Sequence, residues 1–285
     1  MRNSAILLVQ CPDRKGLSAA IADFIFRHNG NILHVEQHQA GDAALCYLAR
    51  TEFSLDAFAI DVKAFAAEFA PIADKFQMQW RLALGSYRPR VAIFVSKYDH
   101  CLVDLLYRQR NGELACEISV ILSNHPDARR HADFYGIPYR VIPVTKETKA
   151  AAEERELHLL REAKIDLIVL ARYMQVLSSD FIRHYPQQII NIHHSFLPAF
   201  VGAKPHHQAY ERGVKLIGAT AHYVTEVLDD GPIIEQGVTR ISHKDALEDL
   251  VEKGRDLEKV VLSRAVRWHI ENRILLYDNK TVIFE

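Results

Sequence analysis

The stretch Ile189-Ile190-Asn191-Ile192-His193-His194-Ser195-Phe196-Leu197-Pro198 reads as a strand that carries polar side chains at its far end. Residues 188–192 are mostly apolar without strict alternation, the pattern of a strand covered on both faces. Similar short runs stand at 91–96, 118–122, 139–143 and 166–170, with helical stretches between them. Such an order predicts an α/β unit built on a mostly parallel, doubly wound sheet. Residues 216–224 and 233–238 extend that sheet, a long helix is expected over 244–270, and a terminal hairpin around Asp278-Asn279.

Asn191 and His193 lie two positions apart on this strand. Alternate strand positions share a face, and open α/β sheets bind ligands beyond the carboxyl ends of their strands. Both side chains can therefore face one substrate. An amide that steadies a developing oxyanion and an imidazole that moves a proton together suit acyl chemistry. A second segment, Ala221-His222-Tyr223-Val224-Thr225-Glu226-Val227-Leu228-Asp229-Asp230-Gly231-Pro232, leaves a strand and ends in a tight turn, from which Asp229 can orient His193 and help hold a water. Taken alone, these residues also fit a blander pattern: Asn191 as a turn or cap residue, and the Asp-Asp-Gly-Pro as a solvated turn.

The first part of the chain has a different rhythm. Residues 5–11 read as a strand, and Leu17, Ile21, Phe24 and Ile25 fall on one helix face that Asn29-Gly30-Asn31 stops. Strands follow at 32–38 and 44–52, joined by a turn at Gly41-Asp42. Leu55, Phe58, Ala59, Val62, Phe65, Ala66 and Phe69 define a second amphipathic helix, and Phe76, Met78, Trp80 and Leu82 alternate as a half-buried strand. The order β-α-β-β-α-β is ferredoxin-like. Domains are expected over 1–84 and 91–285, with 85–90 (Gly-Ser-Tyr-Arg-Pro-Arg) as linker.

Lys and Arg total 35 against 36 Asp and Glu, a net charge of −1, which argues against nucleic acid or an anionic membrane as the main partner. No apolar run approaches the length of a membrane span, and the N-terminus lacks a signal-peptide pattern. The cysteines Cys11, Cys46, Cys101 and Cys116 form no CxxC pair and read as free thiols in a reducing cytoplasm. Of the 15 histidines, His193, His194, His206, His207 and His222 lie near the quoted segments. No HExxH motif is present, and adjacent histidines on a strand point to opposite faces, so no metal is expected. Lys204-Pro205-His206-His207 reads either as a mobile loop beside the substrate or as a purely structural one.

The motif Asn-Ile-His-x-Ser-x-Leu-Pro, followed some thirty residues later by His-x-Val-x-x-x-x-Asp-x-Gly-Pro-Ile (with Tyr223-Val224 at the start of that second motif here), resembles the folate-dependent formyltransferase family over roughly residues 90–240. The resemblance implies that Asn191, His193 and Asp229 are catalytic and that 10-formyltetrahydrofolate is the substrate, with no separate cofactor. It also implies that Tyr173, Met174, Gln175, Val176 and Leu177 line a pterin pocket, with Gly231 among the substrate contacts. Family members that formylate glycinamide ribonucleotide carry a glycine-rich phosphate loop after the first strand of this domain. Here that place reads Val95-Ser96-Lys97-Tyr98-Asp99-His100-Cys101-Leu102, without glycine. Backbone amides then lack the close approach that a phosphate needs. With no seat for that acceptor, water becomes the expected nucleophile, the products being formate, for purine synthesis and one-carbon balance, and tetrahydrofolate. Two alternatives stay open: formyl transfer to another amine, and a non-catalytic folate- or amino-acid-binding regulator. The loop Cys11-Pro12-Asp13-Arg14-Lys15-Gly16-Leu17 resembles that of ACT domains. That likeness implies an amino-acid ligand, with Asp13, Asn29 and Gly30 facing it, and a homo-oligomer, dimer or tetramer; glycine or methionine, tied to one-carbon supply, are the expected effectors, and a domain that only mediates assembly is the alternative.

Overall fold

The computed structural model describes residues 3–41, 45–198 and 205–285, and the chain divides into two compact units. One unit takes the chain up to Tyr87 together with Glu271–Glu285; the other is Arg88–Ile270.

The first unit contains β1 (Ser4–Pro12), α1 (Leu17–Arg27), β2 (Ile32–Ala40), β3 (Cys46–Ser54), α2 (Val62–Phe76) and β4 (Gln79–Leu84). The strands form an antiparallel sheet in the order β2-β3-β1-β4. The apolar face of α1 buries Leu17, Ile21, Phe24 and Ile25 against Phe53, Phe65 and Phe69. Burying each such side chain contributes about 1.5–3 kcal/mol. The second helix starts later than its apolar pattern suggests. Asp61 caps it by accepting from Lys63 N, and Leu55 and Phe58 pack on the core from the preceding turn. Its periodicity marked burial, while the cap set the start. Phe76 likewise ends α2 and does not begin β4, because Gln77 turns left-handed (φ 56°) and breaks the helix there. Of the expected Gly41-Asp42 turn, Asp42 lies outside the described residues.

The second unit runs β5 (Arg90–Val95), α3 (His100–Arg110), β6 (Glu117–Ser123), α4 (Arg129–Tyr135), β7 (Tyr139–Val141), α5 (Lys149–Glu162), β8 (Leu167–Leu170), α6 (Ser179–Arg183), β9 (Ile189–His193), α7 (Pro205–Glu211), β10 (Leu216–Tyr223), β11 (Ile233–Arg240) and α8 (Leu247–Ile270). Its sheet has the order β11-β10-β9-β8-β5-β6-β7. Strands β5 to β9 pair in parallel, and β10 and β11 join antiparallel. The central strands β5 and β8 are buried almost throughout, as their unbroken apolar runs require. Pro205, His206 and His207 belong to α7 and not to a loop, while Lys204 and the side chains of Pro205 and His206 lie outside the described residues. Among the described residues, no helix is long and apolar enough to cross a membrane.

The last fifteen residues correct the expected domain limits. Strands β12 (Ile274–Tyr277) and β13 (Lys280–Ile283) form the hairpin expected from the sequence, but it belongs to the first unit. Leu275, Tyr277, Val282 and Phe284 cover Ile6, Leu8 and Leu48, on the sheet face opposite the helices. Residues 5–9 of β1 are therefore buried on both sides, which accounts for their continuous apolar run.

Candidate functional site

Strand β9 delivers Asn191 and His193 to the carboxyl end of the parallel sheet, beside β8. Its other neighbour, β10, runs antiparallel and sets His222 directly across from Asn191 and Thr220 across from His193. The loop after β10 then returns Asp229 to the same place. That loop is tight: a Cβ built on Gly231 would stand 1.7 Å from the Tyr223 carbonyl oxygen, while Asp229 adopts a left-handed φ of 56°. Gly231 thus shapes the turn that carries Asp229, and it does not line the cavity as expected from the sequence. Gly231→Ala should force the loop off the strand and destabilise the protein by about 1–3 kcal/mol, the usual range for overpacking. A thermal melt matching the parent's would show that the loop yields.

His193 Nδ1 lies 3.2 Å from Asp229 Oδ2, and the other carboxylate oxygen lies 3.7 Å from His222 Nε2. Hydrogen bonding from His193, with the nearby His222 ring adding to it, holds the Asp229 carboxyl well below the usual carboxylate range, against the opposing effect of burial. A carboxylate on Nδ1 keeps the proton of a neutral imidazole there and leaves Nε2 as the basic atom. His193 Nε2 is buried and has no hydrogen-bond partner among the described residues. A buried polar atom without a partner is uncommon and calls for an explanation.

His222 is the residue whose role the sequence did not disclose. Its Nδ1 faces the Tyr223 carbonyl at 2.9 Å, which can only accept, so the proton sits on Nδ1. Its Nε2 therefore accepts from Asn191 Nδ2 at 3.2 Å. This contact fixes which end of the Asn191 amide is the donor and leaves its second N–H for another acceptor. A histidine within the stretch 216–224 was visible in the sequence; its position opposite Asn191 was not.

These groups line a cavity of about 300 Å³ that also takes in residues 173–177 and the 224–228 loop. Met174 and Val176 are exposed, whereas the Tyr173 side chain turns into the core, where its hydroxyl donates to Glu156. Gln175 and Leu177 also border the cavity. His194, the residue just after β9, lines the cavity too, so the expectation that neighbouring histidines point apart does not hold once the strand has ended.

Arg172, another cavity residue, has a left-handed φ of 64° and lies 3.5 Å from Glu258 Oε2, an oxygen that also pairs with His100 at 2.8 Å. Burial opposes ionisation of Glu258, yet His100 and Arg172 hold its carboxyl below the ordinary range. His100, Cys101 and Glu258 bring possible metal donors within 4.8 Å of one another, a grouping not anticipated from the sequence. A guanidinium already faces that carboxylate, and burial pushes the Cys101 thiol up, away from the thiolate that binds metals.

In the first unit, Asp13 borders a cavity of about 490 Å³ with Ser18, Gln37, Gln39 and Tyr47. Asn29 and Gly30 are not part of it. Asn29 donates to the Ala57 carbonyl, and a Cβ on Gly30 would come within 2.7 Å of Ile25. They close the end of α1 and lie outside that cavity.

The chain matches the formyl transferase family over residues 89–266 and the ACT domain over residues 5–69. It is 53% identical to a formyltetrahydrofolate deformylase of Synechocystis sp., over 99% of this chain and 98% of that protein. A Bacillus subtilis protein of the same name is 47% identical over 98% of this chain and 93% of its own. A crystal structure of a formyltetrahydrofolate deformylase from Pseudomonas syringae pv. tomato superposes with a TM-score of 0.97 at 46% identity, covering 100% of this chain and 95% of that one.

Proposed function

Because the chain belongs to the formyltetrahydrofolate deformylase family, we propose that its Asn191, His193 and Asp229 centre hydrolyses 10-formyltetrahydrofolate to formate and tetrahydrofolate. The observation that carries the assignment of roles is the unpartnered, buried Nε2 of His193, in a residue that lines the cavity beside Asn191 and the 173–177 wall.

A water bound at the cavity end gives a proton to His193 Nε2 as its oxygen attacks the formyl carbon. The carbonyl electron pair moves to oxygen, where the free N–H of Asn191 and the protonated imidazole stabilise it. When the C–N bond breaks, its electron pair on N10 takes the proton back from Nε2. Asp229 orients the ring and balances the imidazolium, since both its oxygens face histidines. Proton transfer contributes about 10²–10⁴ in rate, and an oxyanion donor about 10²–10³. The pterin packs on Met174 and Val176, and Tyr173 supports that wall from behind.

The direct test is formate release from 10-formyltetrahydrofolate with no amine present. Stoichiometric formate and tetrahydrofolate support hydrolysis, and turnover that requires an added amine overturns it. We assign no metal or separate cofactor to the reaction; in the His100, Cys101 and Glu258 grouping the carboxylate already faces Arg172 and His100. Prolonged treatment with a strong chelator should leave the rate unchanged. A loss restored by zinc would reverse that assignment.

The ACT unit is proposed to bind a small amino acid, glycine or methionine, in the Asp13 cavity, which combines polar side chains with the N-terminus of α1. Such units pair through copies of themselves, so a dimer or tetramer is expected. We place the enzyme in the cytoplasm, where its free thiols stay reduced, and assign it the balance of one-carbon pools and formate supply to purine synthesis. One amino acid in a panel should change the rate of formate release, and Gln37→Ala should abolish that response while sparing the basal rate. A panel without effect would make residues up to Tyr87 an assembly unit only.

A further inference from the structure

The wall segment 173–177 is tied down at both ends by one helix. At its start, the Tyr173 hydroxyl donates to Glu156 Oε1 at 3.0 Å, within the core. Just past its end, Ser178 N donates to Glu153 Oε1 at 2.9 Å and the Ser178 hydroxyl donates to Glu153 Oε2. Glu153 and Glu156 stand three residues apart on α5, so they share one helix face. Both are buried, Glu156 being 2% and Glu153 9% exposed. Between the two ties, Met174 and Val176 project outward, 49% and 55% exposed. The Met174 amide is held by Ser96 Oγ at 2.9 Å, which leaves these side chains little freedom to withdraw.

Two buried carboxyls are a costly way to fix a loop, because burial disfavours their ionised form. Burial pushes Glu156 up to about 7, with Glu153 nearby adding to the shift against the hydrogen bond from Tyr173. Its second oxygen has no hydrogen-bond partner among the described residues. Lys149 Nζ lies 3.9 Å from Glu153. The reaction chemistry uses neither acid. What both contact is the segment that borders the cavity.

We propose that Glu153 and Glu156 are positioning residues for the folate. They hold the 173–177 wall in its binding shape, so that the substrate's flat ring system meets a surface already ordered. The inference rests on the reading that this ring system packs on Met174 and Val176. Preorganising a binding segment raises affinity by removing the entropy of ordering it. It acts alike on bound substrate and transition state, so its loss should appear in KM and not in kcat.

The experiment compares full-length variants for KM, kcat and the dissociation constant of tetrahydrofolate. Glu156→Leu and Glu153→Leu should each raise KM and the tetrahydrofolate dissociation constant about tenfold, the equivalent of one hydrogen bond, with kcat within about twofold. Glu156→Gln should restore the parent KM, because its carboxamide oxygen still accepts from Tyr173. Tyr173→Phe removes one hydroxyl and is gentle enough to fold where a leucine is not; it should raise KM about threefold. Folded variants with unchanged KM, or with kcat falling while KM stays, would overturn the proposal. The paired change Met174→Ala/Val176→Ala separates the two readings. If it leaves KM unchanged, the folate does not pack there and the proposal falls with that reading. If it raises KM while the Glu153, Glu156 and Tyr173 variants do not, the anchoring alone is wrong.

Discussion

Replacing His193 by alanine is expected to all but abolish formate release, lowering kcat by about 10⁴, the upper end of what one acid–base group contributes. The same ring accepts the proton of the attacking water and returns it to the departing nitrogen, so one deletion removes both steps. Among the described residues the ring's Nε2 engages no protein group, so no described contact depends on that atom. Affinity for tetrahydrofolate should stay near the parent's, since it comes from the 173–177 wall and not from the imidazole. The check is a single-turnover assay beside a tetrahydrofolate binding measurement on folded protein. Near-parent turnover would overturn the mechanism, and a matching loss of affinity would make His193 a binding group.

Asp229→Asn is expected to cost about 10²–10⁴ in kcat. Asparagine keeps the shape and tolerates the left-handed backbone that Asp229 adopts at φ 56°. The turn above Gly231 should therefore survive, and the loss reports on charge. The amide can also present its NH₂ to His193 Nδ1 and favour the tautomer with its proton on Nε2, which removes the base. The carboxyl of Asp229 is held below the ordinary range by His193 and His222, so its folded value is depressed. Its stabilising effect is then complete above the unfolded value of about 4 and is lost only as pH falls through the lower folded value. Across the neutral range it is a fixed anion, and the defect of Asp229→Asn should be the same at every neutral pH. A defect smaller than about tenfold, below the usual range for an acid–base partner, would reduce Asp229 to a structural role.

How much of this was legible beforehand varied with the range of the interaction. Periodicities of two and 3.6 residues are local, and from them came the ferredoxin-like order, the parallel sheet and the shared face of Asn191 and His193. The resemblance to the formyltransferases implied a catalytic role for Asp229, which the turn after β10 had already offered, and added the 173–177 wall. Element boundaries were less legible where a cap outweighed the apolar pattern, as at Asp61, which starts α2 after Leu55 and Phe58 have already joined the core.

What remained closed to sequence reading depends on which distant segments meet. The apolar run of residues 5–11 marked a strand, but nothing along the chain named residues 274–284 as the cover of its second face, since any apolar hairpin satisfies the same need. Gly231 was expected among the substrate contacts, whereas its conformational need comes from the Tyr223 carbonyl, which leaves no room for a side chain there. His222 gained its role from the antiparallel register of β10 on β9, where a slip of one residue would have turned it to the other face. Spacing alone therefore determined which side chains could share a face of one strand. The tertiary structure decided which atoms they meet, because contacts between strands and loops far apart in the chain are fixed by joint burial and register, and neither is written in any local stretch of residues.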